Sequence, residues 1–313
     1  MASATGRVLK AQLRDLYDMR IGKAYIQGYG EYPSEYEPMF NIESTEREDE
    51  RQSFISTLGL WVQKQAGSGD GLTFDSVYQG DDTTITPYTY ALGVTIEQET
   101  WEDDPHGLVE KIGTSLGQTG RLTSEYLAAS VFNDGFAATT AAPWMSGGDS
   151  QYLFDTDHPI QGGGTYANKP STAIGLSLAA LQAADLNFRK MVNARGLPWP
   201  MKPRELIIPP DLKFLAWELL HGENIPYTAD NTGNALQGMY TVREWVFLND
   251  SNNWFLSAGK SADRGIQTVA LWRVKPEFDR DNQFETGDRR YKGRFRQGFG
   301  YWSWPGLYGS NPS

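Results

Sequence analysis

Apolar residues recur at helical spacing over one long stretch, from Asp104 to Gly135. Leu108, Ile112 and Leu116 lead to Leu122, Tyr126 and Val131. Asp104 suits an N-cap, Pro105 the first helical position and Gly135 a C-terminal stop. Roughly 30 residues at 1.5 Å each predict a rod of about 45 Å. Its interior carries Gly107, Gly113, Gly117 and Gly120, each costing about 1 kcal/mol against Ala in a helix. Such a helix either breaks near Gly117–Gly120 or takes tertiary support from a backbone that approaches where side chains are missing. Helix statistics leave both alternatives open.

Elsewhere the pattern alternates between short helices and strands. Arg7 to Ala24 predicts an amphipathic helix with Leu9, Leu13, Leu16, Tyr17 and Ile21 on one face. GYGEYPSEYEPMF follows, rich in Tyr, Pro and Gly, and reads as an extended arm that needs another surface to hold it. Phe54 to Gln65 and Leu72 to Tyr78 flank the turn Gly67 to Gly71, which predicts a β-hairpin. Tyr88 to Ile96 alternates strictly and predicts a strand running through EQETWEDD into the long helix. A loop-rich stretch after Gly135 is too long for an ordinary connector. Leu176 to Ala194 is helical in pattern and stops at Gly196. Leu206-Ile207-Ile208 predicts a buried strand, ended by Pro209-Pro210. Asp211 then caps a helix that runs to Gly222. From Tyr240 the chain is mostly β, over Val242 to Leu248, Trp254 to Ala258 and Ile266 to Val274. In the last strand Arg290, Lys292, Arg294 and Arg296 alternate with Tyr291, Gly293, Phe295 and Gln297.

Composition narrows the function. The 313 residues suffice for a large core and more than one subdomain. A net charge of −11 argues against wholesale sequestration of nucleic acid. There is no Cys, which excludes disulfides, thiolate metal sites and Cys nucleophiles. The N-terminus lacks an apolar signal-peptide core, and no apolar run is long enough to span a bilayer. The expectation is a soluble protein made in the cytoplasm.

Candidate chemistry is sparse. His106, His158 and His221 are scattered. Asp155, Asp157 and His158 lie together, but a metal needs further converging ligands, and a structural turn is the simpler reading. Gly162-Gly163-Gly164 lacks the Lys and Ser/Thr of a phosphate loop. There is no nucleophile elbow and no zinc-protease helix motif. Asp103-Asp104, or Glu97 and Glu99, are pairs that a glycosidase would use. Asp103 and Asp104 are better explained by the positive end of the helix dipole. No catalytic, cofactor-binding or metal residue is therefore assigned, and no enzyme activity is expected. The basic strand 290–296 has three readings: a solvated sheet face, a partner for an acidic patch (Glu46, Glu48, Asp49, Glu50) on another subunit, or a contact with phosphates.

The order of elements resembles the major capsid proteins of tailed bacteriophages, nearest the Mu-like major head subunit group. VTIEQETWEDDPHGLVEKIGTSLGQTGRLTSEYLAASVFNDGF is similar to that family's strand and spine helix. YLFDTDHPI, Tyr152 to Ile160, is similar to its following loop. PWPMKPRELIIPPDLKFLAWELL, Pro198 to Leu220, is similar to its strand-proline-helix unit. The likeness covers roughly residues 85 to 225. It implies an α+β capsid fold: an N-terminal arm (1–50), an extended β-hairpin loop (51–95), a peripheral domain with the spine helix (96–169, helix about 104–135), an axial α/β domain (170–265) and a C-terminal β segment (266–313). It also implies hexamers and pentamers closing an icosahedral head around double-stranded DNA, bound without sequence specificity. Expected partners are other copies, a separate scaffolding protein, a portal and a decoration protein, with no membrane. The virion is the expected location, after assembly in the host cytoplasm. Some relatives form Lys–Asn links between subunits; Lys64 lies on the hairpin, but nothing identifies a partner and no cross-link is expected. An encapsulin-like compartment shares the same fold and is the alternative.

Overall fold

The computed structural model describes residues 10–61, 74–103, 107–136, 147–160, 163–193, 195–222, 233–260, 267–283 and 285–312, without the side chains of 10–19, 101 and 102. In chain order its elements are α1 (Lys10–Glu31), β1 (Asn41–Ser44), β2 (Glu50–Ile55), β3 (Gln79–Ile85), β4 (Tyr88–Ile96), α2 (Gln98–Glu102) and α3 (Leu108–Asn133). They continue with β5 (His158–Pro159), β6 (Thr165–Tyr166), α4 (Leu178–Arg189), β7 (Glu205–Ile208), α5 (Lys213–His221), β8 (Thr241–Glu244), β9 (Trp254–Ser257), β10 (Thr268–Asn282), β11 (Arg289–Tyr301) and β12 (Leu307–Ser310). Two compact units result. The first is Met1–Ser34, Pro87–Tyr126 and Trp272–Gly298; the second is Glu35–Thr86, Leu127–Leu271 and Phe299–Ser313.

In the first unit α1 lies along α3, and glycines explain how closely. A Cβ on Gly117 would sit 2.1 Å from the Tyr25 carbonyl oxygen, and one on Gly28 would sit 2.2 Å from that of Thr114. Both obstacles are backbone, so only glycine fits. This contact also settles the alternatives for the long helix. α3 is unbroken from Leu108 to Asn133, because the glycines that weaken it locally are where α1 packs. The cap residues Asp104 and Pro105 lie outside the described residues. α1 likewise runs on through Gly28, Tyr29 and Gly30, seven residues beyond the expected end at Ala24. Propensity yields there to packing against α3. Of the expected α1 face, Ile21 is the one member with a described side chain, and it is buried with Val109, Ile96 and Tyr291.

The same unit holds the ladder of β4 against β11, antiparallel from Arg289 opposite Ile96 to Gln297 opposite Tyr88. β10 lies on the other side of β11, which leaves β4 at the edge. The alternation of β4 is only partly reflected in burial. Ile96 is buried, but Leu92 and Tyr88 stay exposed. β10 extends eight residues past the expected strand end at Val274, through polar KPEFDRDN. Cross-strand ion pairs with β11 accompany that extension, Glu277 with Arg294 at 2.7 Å and Asp279 with Lys292 at 3.3 Å.

In the second unit a sheet of order β12-β9-β7-β8 is covered on both faces. β7 pairs parallel with β8 and antiparallel with β9, and β9 pairs antiparallel with β12. Period-two alternation divides the strands between two cores. Ile207, Phe255 and Leu307 join Phe132, Phe154 and Trp245 on one side. Leu206, Ile208, Trp254, Leu256 and Tyr308 join Leu181, Phe188 and Leu220 on the other. A strand buried on both faces needs a continuous apolar run, which is what Leu206-Ile207-Ile208 supplies. α4 begins at Ser177, whose Oγ accepts the Ala180 N–H at 3.2 Å. It ends at Arg189, not at Ala194. Asp211 is not a cap: it sits inside a 3-10 turn, Pro210–Leu212, that leads into α5 without a side-chain cap.

The arm after α1 is also corrected. Tyr36, Met39 and Phe40 are buried in the second unit's own aromatic core, so the surface this segment needs belongs to its own chain.

Candidate assembly surface

The β2–β3 hairpin of the second unit carries the two most exposed large apolar side chains among the described residues, Trp61 and Phe74. Its ladder runs from Glu50 opposite Ile85 to Ile55 opposite Gln79, with an irregularity between Ser53 and Ile55. The expected strands, Phe54–Gln65 and Leu72–Tyr78, were drawn by apolar content. The observed strands sit nearer the base and are polar. Asp82 on β3 holds them together, bonding both Arg51 and Ser53 of β2. The Ser53 hydroxyl, then Arg51, keep the Asp82 carboxyl below the usual range. Its neighbour Asp81 is pushed up, by burial first and then by Asp149 and Asp82. The turn Gly67–Gly71 and Lys64 lie outside the described residues.

From the end of the ladder outward the described large apolar side chains face solvent. Ile55, Leu58, Leu60, Val77 and Tyr78 are all at least half exposed, Phe74 is 91% exposed and Trp61 is 99% exposed. Scattered single apolar residues on a surface are ordinary, but a contiguous run of large ones marks an interaction site.

Beside the hairpin base is a cavity of about 390 Å³, lined in part by Phe54, Asp81, Asp149, Trp199 and Trp302. Asp149 Oδ2 lies 2.7 Å from His158 Nδ1, and His158 Nε2 lies 3.2 Å from Asn168 Oδ1. The imidazole is fully buried and stacks on Trp304 at 4.6 Å. Asn168 also accepts the Asp155 N–H and donates to the Leu153 carbonyl. These bonds tie a turn to its surroundings, as the sequence reading of Asp155, Asp157 and His158 expects. Asp155 itself faces Lys169 at 3.6 Å. No group of three metal-ligating side chains converges among the described residues. Sequence reasoning missed Asp149 and Asn168 because they lie 9 and 10 residues from His158 in irregular chain.

Each of Arg290, Lys292, Arg294 and Arg296 on β11 finds a partner in or beside its own sheet, although Arg296 Nε is buried without one among the described residues. Besides the two pairs with β10, Arg290 donates to Gln283, and Arg296 donates to the Pro87 carbonyl at 3.4 Å. That is the solvated sheet face, with exposed pairs each contributing about 0–1 kcal/mol. Of the proposed acidic partners, Glu50 accepts from Thr45 and faces Arg47. Among the described residues no helix is long and apolar enough to cross a membrane.

Comparison with known proteins agrees with this architecture. No curated protein matches the sequence. A virus-like particle from Pyrococcus furiosus is similar in fold, with a TM-score of 0.53 at 12% identity, covering 94% of this chain and 98% of that one. Mycobacterium phage Adephagia gives 0.55 at 12%, covering 90% and 91%. The capsid of a native GTA particle gives 0.57 at 10%, covering 90% and 92%. At such identities the likeness carries the fold, that of a tailed-phage capsid protein. Residues 80–309 match the family model described as phage capsid protein. With most of its length matched, the chain belongs to the phage capsid protein family, and its role is structural, as a subunit of the icosahedral phage head.

Proposed function

We propose that copies of this chain assemble as hexamers and pentamers into the shell, and that the β2–β3 hairpin is the extended loop laid on a neighbouring copy. The observation that carries this reading is the set of exposed apolar side chains in residues 55–61 and 74–78. Burying one such side chain contributes about 1.5–3 kcal/mol. A closed shell repeats that gain at every subunit, so modest contacts become collectively strong. In the same reading α3 is the spine helix of a peripheral domain. The elements α4, β7, α5, β8 and β9 are most of the axial domain. The shell encloses double-stranded DNA without sequence-specific contacts, and it is built in the host cytoplasm with a scaffolding protein and a portal. A decoration protein and membership of the Mu-like group belong to the same proposal.

The test is negative-stain microscopy of the chain expressed with its scaffold, beside a Leu60→Asp, Trp61→Asp, Phe74→Asp triple variant. Wild type should give regular shells. The variant should stay folded and give none. Wild-type shells from the variant would remove the hairpin from the interface.

A further inference from the structure

We propose that Arg195 is a latch that fixes the direction in which the hairpin leaves its own unit, and so sets how its apolar flank meets a neighbouring copy. The second half of that statement rests on the assembly reading above; the first half does not.

Little in the hairpin itself can hold a direction. An isolated two-stranded ribbon is marginal in water, and this one carries an irregularity at Ser53/Ile55, where strands bend. Among the described residues its last backbone bond runs from the Ser56 N–H to the Tyr78 carbonyl at 2.9 Å. Beyond that, residues 57–61 and 74–77 belong to no strand.

What holds them is the loop after α4. Val192 bridges Pro198, and Trp199 N–H donates to the Met191 carbonyl at 2.8 Å, closing the loop at its base. Inside it, Asn193 Oδ1 accepts the N–H groups of Arg195 and Leu197, both at 3.0 Å. These bonds tie the loop's described residues together, and it presents two side chains to the hairpin. Asn193 Nδ2 donates to Thr57 Oγ1 at 3.0 Å. Arg195 Nη1 donates to Asp75 Oδ2 at 2.7 Å, and Nη2 donates to the Ser76 carbonyl. The guanidinium carbon stands 4.9 Å from the centre of the Tyr78 ring. Asp75 Oδ2 also accepts the Gly59 N–H at 2.7 Å.

One loop thus grips both limbs of the hairpin, through Thr57 on one and Asp75, Ser76 and Tyr78 on the other, while Asp75 ties Gly59 across to its own limb. The Arg195 side chain is only 16% exposed and its Asp75 partner 37%, so its bonds are charge-assisted and only partly shielded from water. A planar fork is needed to reach a carboxylate and a carbonyl at once while lying over a ring. Lysine has no such fork. Arg195 meets the flank at Tyr78, beside the ladder, and acts on assembly by positioning.

The chain has no native Cys, so spin labels can be placed cleanly at Leu60→Cys and Asp211→Cys, both within the second unit. Their distance distribution is measured on the unassembled chain with Arg195, Arg195→Lys and Arg195→Ala. Melting temperature is recorded for each. The expected result is one narrow distance with Arg195, a broad distribution with Ala, an intermediate one with Lys, and a melting temperature that does not follow the broadening. Shell formation with scaffold should then be lost or irregular for the Ala variant. An unchanged distribution in the Ala variant overturns the latch. A broad distribution with normal shells overturns its role in presenting the flank. Failure of the assembly reading is seen separately, as normal shells from the triple aspartate variant.

Discussion

Two stretches of the second unit read alike in the sequence and behave oppositely in the structure. Residues 35–44 and the hairpin flank from Ile55 to Tyr78 are both rich in large apolar residues with no local core to receive them. The first stretch is received by its own chain. Phe40 is fully buried, with Phe299 at 5.6 Å, Phe132 at 6.0 Å and Trp245 at 6.5 Å between ring centres. Tyr36 meets Phe299 edge-on at 5.2 Å. The backbone is tied too, since Thr268 Oγ1 donates to the Met39 carbonyl at 2.6 Å and Val246 N–H to Glu35 at 3.1 Å. In the flank's described residues, 55–61 and 74–78, the large apolar side chains stay at least half exposed, with Tyr78 lying against Arg195. An apolar arm is therefore not by itself an assembly device; what distinguishes the two is whether the same chain supplies the opposing rings.

The sharpest way to break that contrast is one substitution made twice. Phe40→Ala should cost about 3–5 kcal/mol in urea unfolding of the unassembled chain. Phe74→Ala should change stability by about 0.5 kcal/mol or less, as surface substitutions do. Equal costs would show that Phe74 is buried in the free chain and would end its candidacy as an interface residue.

A smaller effect tests the other half of the arm, α1. Gly→Ala in a helix interior normally stabilises by about 0.5–1 kcal/mol. Gly30→Ala should follow that rule, because a Cβ there meets nothing within 4 Å. Gly117→Ala should reverse it, because the new Cβ falls on the Tyr25 carbonyl and overpacking costs about 1–3 kcal/mol. Thermal melts of the two variants should move in opposite directions. A shared direction would mean that α1 does not pack on α3 in solution.

These contrasts show what could be read in advance. α3 was legible as a helix because its apolar spacing persists over several turns, whereas its glycines left a break and a close-packed backbone equally open until α1 was seen to pack on them. Leu206-Ile207-Ile208 was legible because burial on both faces leaves no polar position. β3 was not legible, since Gly80-Asp81-Asp82-Thr83-Thr84 carries no apolar pattern and pairs through side-chain bonds to Arg51 and Ser53. The end of α1 was hidden because Gly28 and Gly30 look the same locally, and only α3 separates them. The fate of Phe40 was hidden for a similar reason: the rings around it come from residues 132, 245 and 299. Arg195 and Asp75 are 120 residues apart, and neither carries a local signal that it has a partner.

The smallest effect lies in two adjacent aspartates of β3. Asp82 is held below the usual carboxyl range by Ser53 and Arg51, whereas Asp81 is held above it by burial and by two neighbouring carboxylates. A depressed folded pKa contributes stability that is complete above the unfolded value, about 3.9, and is lost as pH falls through the folded value. A raised one has the opposite sign: it penalises the folded state once pH rises past the unfolded value, and protonation relieves the penalty. At pH 7, Asp82→Asn should therefore lower the melting temperature slightly and Asp81→Asn should raise it slightly. Once pH has fallen through the depressed folded value of Asp82, the two variants should converge on wild type, and the hairpin base loosens only there. If both variants instead shift the same way at pH 7, the Ser53 and Arg51 bonds do not hold the base of the hairpin, and its direction would depend on the Arg195 loop alone.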